Sequence, residues 1–360
     1  MEVDTGALRR NFDRLAERAG GASHVLVMIK ADAYGVGMLE VAQAVREAGA
    51  WGLGVAAVSE GAELREAGSE ERIVVFSACP PIDAEAVVEL DLEPAISSVD
   101  GLRAYADAAR PDRPVLVHLE VDTGMGRLGL PADRAGAWSR DVAGVVETGR
   151  VRVASTFTHF HSAGSDEASV REQWLSYREA LEAMRAAGLE PGLLHAANSP
   201  ALLGPVRLPA DLARPGIHLY GGGPHGAEPV VSVRARVLDV RTLAAGHAVS
   251  YGATWRTGRE TRLATLAIGY ADGLPWRLSS RGAVLLSGRK APIRGSVCMD
   301  MTVVEVPGGH AVRPGDVATV LGEDGGERIG LAELARGSGS MEYEILTGWS
   351  ERLPRVYVET

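Results

Sequence analysis

The chain is poor in cysteine, in positive charge and in long apolar runs. Only Cys79 and Cys298 occur in 360 residues, and their wide separation argues against both a disulfide framework and a metal site. The formal net charge of −10 argues against general nucleic-acid binding, which needs a basic surface to meet phosphates. No apolar run approaches the roughly 20 residues that span a bilayer. Acidic residues interrupt the start of the chain, so we expect no signal peptide. These absences favour a cytoplasmic protein without a membrane or nucleic-acid partner.

The composition and the length are those of a globular enzyme. Hydrophobic residues make up 46% of the chain and charged residues 23%, which is ordinary for this class. The length exceeds what one common domain core holds, so we expect one large domain and one smaller domain.

Short β-rich runs alternate with helical patterns over the first 220 residues. VLVMI at 25–29 precedes the helical MLEVAQAVREAGA, and the series closes with ARPGIHLY at 213–220. About eight such runs occur. Strands that alternate with helices predict a parallel sheet, and eight units predict a TIM-like (β/α)₈ barrel. An open, doubly wound sheet is the alternative.

The pattern changes after about residue 225. Short runs rich in β-branched residues, such as VSVRARVLDVRTL, TRLATLAI and DVATVLG, are separated by Gly and Pro, and LAELARG is the best helical stretch. This pattern predicts a mostly-β domain. We therefore predict an α/β barrel over 1–224 and a β domain over 225–360, with the boundary inside the loop GGGPHGAEP at 221–229.

Lys30 follows the apolar run VLVMI directly. If that run is the first barrel strand, Lys30 lies at its carboxyl end, where barrel enzymes place their active sites. A lysine there is partly desolvated, which favours the neutral amine that reacts with carbonyl groups. From its position alone, a solvent-exposed lysine at a strand end is the better interpretation.

The segment MIKADAYGVG resembles the cofactor-lysine motif of alanine racemases. Further segments match the family in its order and with similar separations, along almost the whole chain: HLEVDTGMGRLGL, FTHF, HAANSPALL, ARPGIHLYG, SYGATW, LAIGYADGLP, VCMDM and MEYEILTG. The resemblance implies a barrel that binds pyridoxal 5'-phosphate, followed by a β domain, in agreement with the strand pattern. Val36 is a departure, since the family usually has His after YG.

The resemblance implies an isomerase that interconverts L-alanine and D-alanine by a two-base mechanism. Pyridoxal phosphate stabilises a carbanion at the substrate Cα, and racemisation then needs a proton-transfer group on each face of that carbon. The family implies Lys30 for one face and Tyr251 of the partner subunit for the other. An active homodimer with shared sites follows from that assignment. Without the family match, Tyr251 would be an ordinary turn or strand tyrosine.

The cofactor contacts are implied in the same way. Arg214 would face the pyridine nitrogen, and His159 would orient that arginine. The order Asn198, Ser199, Pro200 independently predicts a helix N-terminus, where free amides favour an anion. The phosphate ligands implied by the resemblance are Ser199, the amides of Gly216 and Ile217, and the hydroxyls of Tyr34 and Tyr343.

Glu120 is the most informative departure from the family. Arg127 matches an arginine that contacts the cofactor ring hydroxyl near the substrate carboxylate, and many members have a carbamylated lysine where this chain has Glu120. Strand alternation places His118 and Glu120 on one face of PVLVHLEVD. Our hypothesis is that Glu120 supplies the anion that holds Arg127. An exposed glutamate without a role is the alternative.

The β domain adds substrate contacts by resemblance. The Met299 backbone N–H would meet the substrate carboxylate, Tyr270 would narrow the entrance together with Tyr343, and Asp300 would support the site. A narrow entrance favours alanine, with serine tolerated weakly.

Three other functions stay open at this point. An amino-acid decarboxylase of the same barrel class would need a cysteine-containing substrate motif that the chain lacks. A pyridoxal-phosphate-binding protein without enzymatic activity would lack the segment from 226 to 360. A serine or broad-range racemase of the same family differs only in substrate range. The sequence also leaves open whether the enzyme serves wall synthesis or catabolism.

Overall fold

The chain begins with a short strand that leads into a helix, and a side-chain cap fixes the start of that helix. The structure, a computed structural model, describes residues 1–77, 80–308 and 311–360, and Cys79 of the disulfide prediction lies outside them. Strand β1 (Glu2–Asp4) leads into helix α1 (Thr5–Ala19). The Asp4 carboxylate accepts a hydrogen bond from the Ala7 amide at 2.9 Å, which satisfies one free N–H at the start of the helix.

A ring of parallel strands follows, connected by helices. Its strands are β2 (Leu26–Met28), β3 (Gly52–Val55), β4 (Ile73–Val75), β5 (Glu93–Ile96), β6 (Val115–Asp122), the two-residue β7 (Leu130–Pro131), β8 (Val151–Phe157) and β9 (Leu193–His195). Seven of them are neighbours in the order β2-β3-β4-β5-β6-β8-β9, and β7 pairs with β6 off this path. These seven strands agree with the alternating pattern of the sequence.

The eighth segment closes the ring through single bridges. Ala213 bridges Val25 and Leu212 bridges His195, both in parallel orientation. Residues 217–220 form turns, because a proline and a glycine interrupt the extended backbone before them. The barrel prediction is confirmed, and the doubly wound alternative is wrong since the sheet closes on itself. The prediction of one regular strand through residue 220 is also wrong.

Helices connect the barrel strands, and all but the first of them, a left-handed turn, are right-handed. They are α2 (Lys30–Gly35), α3 (Met38–Glu47), α4 (Val58–Glu66), α5 (Ala84–Glu89), α6 (Val99–Ala108), α7 (Ala135–Val146), α8 (Glu167–Ala186) and α9 (Ser199–Leu203). In α3, Met38, Val41, Ala42 and Val45 are buried. Their spacing gives the apolar stripe that packs a helix against a core.

The second domain is mostly β, as predicted. Its strands are β10 (Val231–Leu243), β11 (Ala248–Val249), β12 (Trp255–Arg256), β13 (Thr261–Leu266), β14 (Ala283–Leu286), β15 (Arg289–Pro292), β16 (Thr302–Glu305), β17 (Val317–Asp324), β18 (Glu327–Ile329) and β19 (Val356–Val358), with helices α10 (Leu331–Ser338) and α11 (Glu342–Thr347). The long strand β10 pairs with β13 and β17. The predicted helical stretch LAELARG forms α10.

Strand β1 lies in the sheet of the second domain. Glu2 and Val3 pair antiparallel with β10, and β1 pairs in parallel with β19. The amino group of Met1 donates to the carbonyl of Pro354 at 3.0 Å. The division after residue 224 stays a prediction, and the first strand is an exception to it. Across the described ranges, the helices are all too short or too polar to cross a membrane.

Candidate active site

A cavity of about 260 Å³ opens at the carboxyl ends of the barrel strands. Most of the residues predicted from the sequence line it: Lys30, Tyr34, Glu120, Arg127, His159, Asn198, Ser199, Arg214, Gly216, Ile217 and Tyr343. Ten of these come from different parts of the barrel, and Tyr343 comes from α11 of the second domain. The cavity therefore lies where parallel-barrel geometry is expected to gather functional side chains.

Lys30 follows β2 at the start of an unusual turn. Residues 31–34 all have left-handed backbone angles, with φ between 50° and 60°, a conformation that costs about 1–2 kcal/mol per non-glycine residue. Asp32 fixes the turn, since its carboxylate accepts from the Met38 amide at 2.8 Å. The Ala31 amide donates to Glu60 at 2.6 Å. Strain of this kind is tolerated where it places a functional group, and here it places Lys30 and Tyr34 in one cavity.

The environment of Lys30 favours its neutral amine. Burial lowers the pKa of Lys30, and the positive charges of Arg127 and Arg214 lower it further, while Glu60 opposes them. A smaller proton affinity leaves more of the amine free to act as a nucleophile or as a base near neutral pH.

Arg214 is buried, with 4% of its surface exposed. Its Nη1 donates to Nδ1 of His195 at 2.7 Å, and its Nη2 donates to the carbonyl of Thr158 at 2.7 Å. The predicted partner His159 is farther away, at 3.5 Å. Burial lowers the pKa of Arg214 to about 10, so the guanidinium stays charged at pH 7. Burial and the charge of Arg214 lower the pKa of His159 to about 3, so this ring is neutral.

Hydroxyl and amide groups form a small cradle beside Gly216. The Gly216 amide donates to Oγ of Ser199 at 2.9 Å, which leaves the Ser199 hydroxyl proton available. A Cβ on Gly216 would lie 2.2 Å from the hydroxyl oxygen of Tyr34, so the absence of a side chain creates this space. The Tyr34 ring stacks on Tyr220 with centroids 4.7 Å apart. This set of donors fits a phosphate group.

Asn198 caps the helix next to the cradle. Its side chain accepts from the Ala201 amide at 3.1 Å, as the sequence predicts. Helix α9 has only five residues, however, so its dipole is small. The anion affinity of this corner must come from individual hydroxyls and amides, and less from the helix itself.

Glu120 and Arg127 line the same cavity without forming an ion pair within 4.0 Å. Glu120 is 5% exposed and His118 is fully buried, but Val117 and Leu119 between and before them are fully buried too, so burial does not distinguish the two faces of β6. Burial raises the pKa of Glu120, while the charges of Arg127 and Arg214 oppose this rise. The charges therefore interact at a distance, and the hypothesis that Glu120 positions Arg127 stays a prediction.

Four predicted residues of the β domain do not line this cavity within one chain. They form what we call the exposed cluster: Tyr251, Tyr270, Met299 and Asp300. The exposed fractions of Tyr251, Tyr270 and Met299 are 75%, 45% and 52%. The backbone joins Tyr270 to the segment that carries Met299, since the Tyr270 amide donates to the carbonyl of Cys298 at 2.9 Å and the Ala271 amide donates to the carbonyl of Met299 at 3.0 Å.

Sequence reasoning missed His195 and the aromatic wall of the cavity. His195 stacks on Phe157 with centroids 5.1 Å apart, and Phe76 and Phe157 both line the cavity. The available signal for His195 was its place at the end of the seventh barrel strand, three residues before Asn198. In the part of the chain that the structure describes, no three His, Cys, Asp or Glu side chains are arranged to hold a metal ion.

Comparison with known proteins gives one consistent result. The family model described as alanine racemase, N-terminal domain, matches residues 3–224, and the one described as alanine racemase, C-terminal domain, matches residues 230–357. An alanine racemase of Symbiobacterium thermophilum is 40% identical over 367 aligned positions, which cover 99% of this chain and 96% of the relative.

Solved structures agree with the sequence comparison. The alanine racemase of Streptomyces coelicolor A3(2) superposes with a TM-score of 0.94 at 35% identity, covering 100% of this chain and 97% of its own. The alanine racemase of Bartonella henselae, described with covalently bound pyridoxal phosphate, superposes with a TM-score of 0.90 at 27% identity, covering 99% of this chain and 98% of its own.

Proposed function

The chain belongs to the alanine racemase family, and on this premise we propose that it interconverts L-alanine and D-alanine with pyridoxal 5'-phosphate bound to Lys30. The observation that supports this most is the cavity itself. It unites an amine of lowered pKa, a buried guanidinium and a cradle of hydroxyl and amide donors. When bound, the cofactor would withdraw electrons from the substrate Cα and so make its proton acidic.

Each part of the cavity matches one part of the proposed cofactor. Lys30 would hold it covalently through Nζ. The hydroxyls of Ser199, Tyr34 and Tyr343 and the amides of Gly216 and Ile217 would hold the phosphate, with the Gly216 amide exchanging its bond to Ser199 for one to the phosphate. Arg214 can only donate hydrogen bonds, so a ring nitrogen facing it must accept. Arg214 would so keep that nitrogen without a proton, which would weaken the ring as an electron acceptor and favour reprotonation at Cα over side reactions.

Lys30 and Tyr251 are the proposed proton-transfer groups. Lys30 lies at the cavity wall with a lowered pKa, so its neutral amine can accept the Cα proton on one face, and the protonated amine can donate one there when the reaction runs in the other direction. Tyr251 is 75% exposed and lies outside the cavity of its own chain. We therefore propose that a second copy of the chain brings its tyrosine to the opposite face, in a homodimer with shared active sites.

The exposed cluster would complete the substrate pocket in the same dimer. Met299 would donate its backbone N–H to the substrate carboxylate, next to the charge of Arg127, while Tyr270 would narrow the entrance. Each methylene that does not fit a small pocket costs about 1–3 kcal/mol. Alanine is then preferred over longer substrates, with weak turnover of serine.

The activity is tested by incubating the purified chain with pyridoxal phosphate and L-alanine and measuring D-alanine. Lys30→Ala should lose both turnover and the absorbance band of lysine-bound cofactor. Tyr251→Phe should keep that band and lose most turnover. Release of carbon dioxide, or cofactor binding without turnover of any amino acid, contradicts the proposal.

Mixing the two inactive variants tests the shared site. In a heterodimer, one of the two sites receives both an intact Lys30 and an intact Tyr251. An equal mixture that exchanges subunits should therefore recover about a quarter of the wild-type activity. No recovery under conditions that exchange subunits would contradict the assignment of Tyr251 to the partner's site.

A further inference from the structure

A continuous line of hydrogen bonds runs through the barrel interior, away from the proposed cofactor site. We call it the buried relay: Arg214, His195, Ser155, His118 and Glu93. Nη1 of Arg214 lies 2.7 Å from Nδ1 of His195, whose Nε2 lies 2.7 Å from Oγ of Ser155. Oγ of Ser155 lies 2.5 Å from Nδ1 of His118, whose Nε2 lies 2.7 Å from Oε2 of Glu93. All five residues are buried, at 8% exposure or less.

With neutral histidines, the two ends of the buried relay fix the direction of every bond in it. A guanidinium only donates and a carboxylate only accepts. Nδ1 of His195 must therefore accept from Arg214, so its Nε2 carries the proton and donates to Ser155. The Ser155 hydroxyl then donates to Nδ1 of His118, and the protonated Nε2 of His118 donates to Glu93. Both histidines are neutral in this arrangement, with the proton on Nε2.

Glu93 is held as an anion at the far end. It begins β5 at the amino ends of the barrel strands, opposite the cavity. Nη2 of Arg72 donates to the same Oε2 at 2.7 Å, and the Arg72 guanidinium lies 4.3 Å from the centroid of the Trp51 ring. Burial raises the pKa of Glu93, but its contacts with His118 and Arg72 together outweigh burial, and the pKa is lowered.

We propose that Glu93 is a positioning residue for racemisation, which fixes the tautomers of His118 and His195 and thereby holds the Arg214 guanidinium in place. This inference rests on the proposed function, in which Arg214 faces the cofactor ring. Without the anion at its end, His195 can place a proton on Nδ1. An Nδ1–H of His195 would face the N–H of Arg214, and because two donors cannot form a hydrogen bond, the guanidinium would lose its present orientation.

The first test is kinetic. Glu93→Gln keeps an acceptor oxygen but loses the charge, and we expect kcat to fall about tenfold with less than about twofold change in KM, as for a weakened hydrogen bond to a charged group. Glu71→Gln is the matched control, since it removes another partly buried carboxylate, paired with Arg46 at 3.1 Å, that does not join the buried relay. The control should keep the wild-type kcat.

A double-mutant cycle separates transmission through the buried relay from a general loss of stability. Ser155→Ala interrupts the line in its middle and should itself lower kcat. If Glu93 acts through Ser155, then Glu93→Gln should cause no further fall in the Ser155→Ala background. Effects on kcat that multiply independently would overturn the proposal.

Nitrogen NMR of the holoenzyme, with ¹⁵N-labelled histidine, gives a readout that needs no turnover. The wild type should show His118 and His195 as neutral rings with the proton on Nε2. Glu93→Gln should broaden or shift the His195 signals, and Glu71→Gln should not. A proton on Nδ1 of His195, or a doubly protonated His118, in the wild type would overturn the proposal. Absence of racemisation by the wild type would instead refute the proposed function and leave the tautomer result standing.

Discussion

A methyl group at Gly216 tests whether the cradle depends on close contact between Gly216 and Tyr34. In Gly216→Ala, the new Cβ would lie 2.2 Å from the hydroxyl oxygen of Tyr34 and 2.9 Å from its Cζ. Ordinary non-bonded separations are about 3.5 Å, so the ring must move by about 1 Å. It has little room, because Tyr34 is 8% exposed and stacks on Tyr220.

The cost follows from that overlap. Overpacking a filled core costs about 1–3 kcal/mol, which lowers the Tm of a chain of this size by about 1–4 °C. Displacing the Tyr34 hydroxyl also removes one proposed donor to the cofactor phosphate. A hydrogen bond to a charged group contributes about 1.5–3 kcal/mol, so the Kd for pyridoxal phosphate should rise about 10- to 100-fold.

Thermal unfolding without added cofactor measures the first effect, and an absorbance titration with pyridoxal phosphate measures the second. Gly144→Ala in α7 is the control, because no atom lies within 4 Å of its added Cβ and alanine favours a helix by up to about 1 kcal/mol. It should keep the wild-type affinity and equal or exceed the wild-type Tm. A Gly216→Ala variant with wild-type Tm and affinity would refute the packing argument.

Two further variants probe the same cavity. Glu120→Gln should raise the Tm at neutral pH, because burial raises the pKa of Glu120 and its ionisation therefore opposes folding. This gain in stability, on the order of 1 kcal/mol, should vanish as the pH falls through the raised pKa of Glu120 toward the ordinary carboxyl value. The activity of Glu120→Gln should be lower than that of the wild type, because the variant lacks the anion near Arg127. Bicarbonate-dependent activation of the wild type would contradict that role. Ser199→Ala leaves the buried Gly216 amide without its acceptor, so stability should fall by about 1–3 kcal/mol and cofactor affinity should fall with it; unchanged melting and titration curves would contradict this.

The fold was largely predictable because its elements follow local patterns. The apolar run before Lys30 and the alternation around Glu120 are visible in the sequence, and each gave the observed strand. The eighth segment was misjudged because bridges at Leu212 and Ala213 close the ring without a regular strand. Closure of this kind depends on pairing with both neighbouring strands, and a local sequence pattern does not predict such long-range pairing.

The site was predictable only in part. Alanine favours the right-handed helix, so nothing local predicts the left-handed turn after Lys30, which tertiary contacts impose. The pairing of Glu93 with His118 joins residues from two strands and cannot be deduced from spacing. The exposure of Tyr251 is also a tertiary property. The family resemblance identified this tyrosine, and only the folded structure shows that it lies outside the cavity of its own chain.

The pairing of β1 with β10 and β19 has a consequence for the order of folding during synthesis. Residues 2–4 leave the ribosome before their partners in β10 and β19, which appear only after the barrel segments have been translated. The barrel can start to fold while the backbone groups of β1 still lack their hydrogen-bond partners. Residues 356–358 of β19 must therefore be translated before β1 gains its second neighbour in the sheet. A nascent chain stalled before that point keeps an open sheet edge, the kind of surface that chaperones bind and that promotes aggregation.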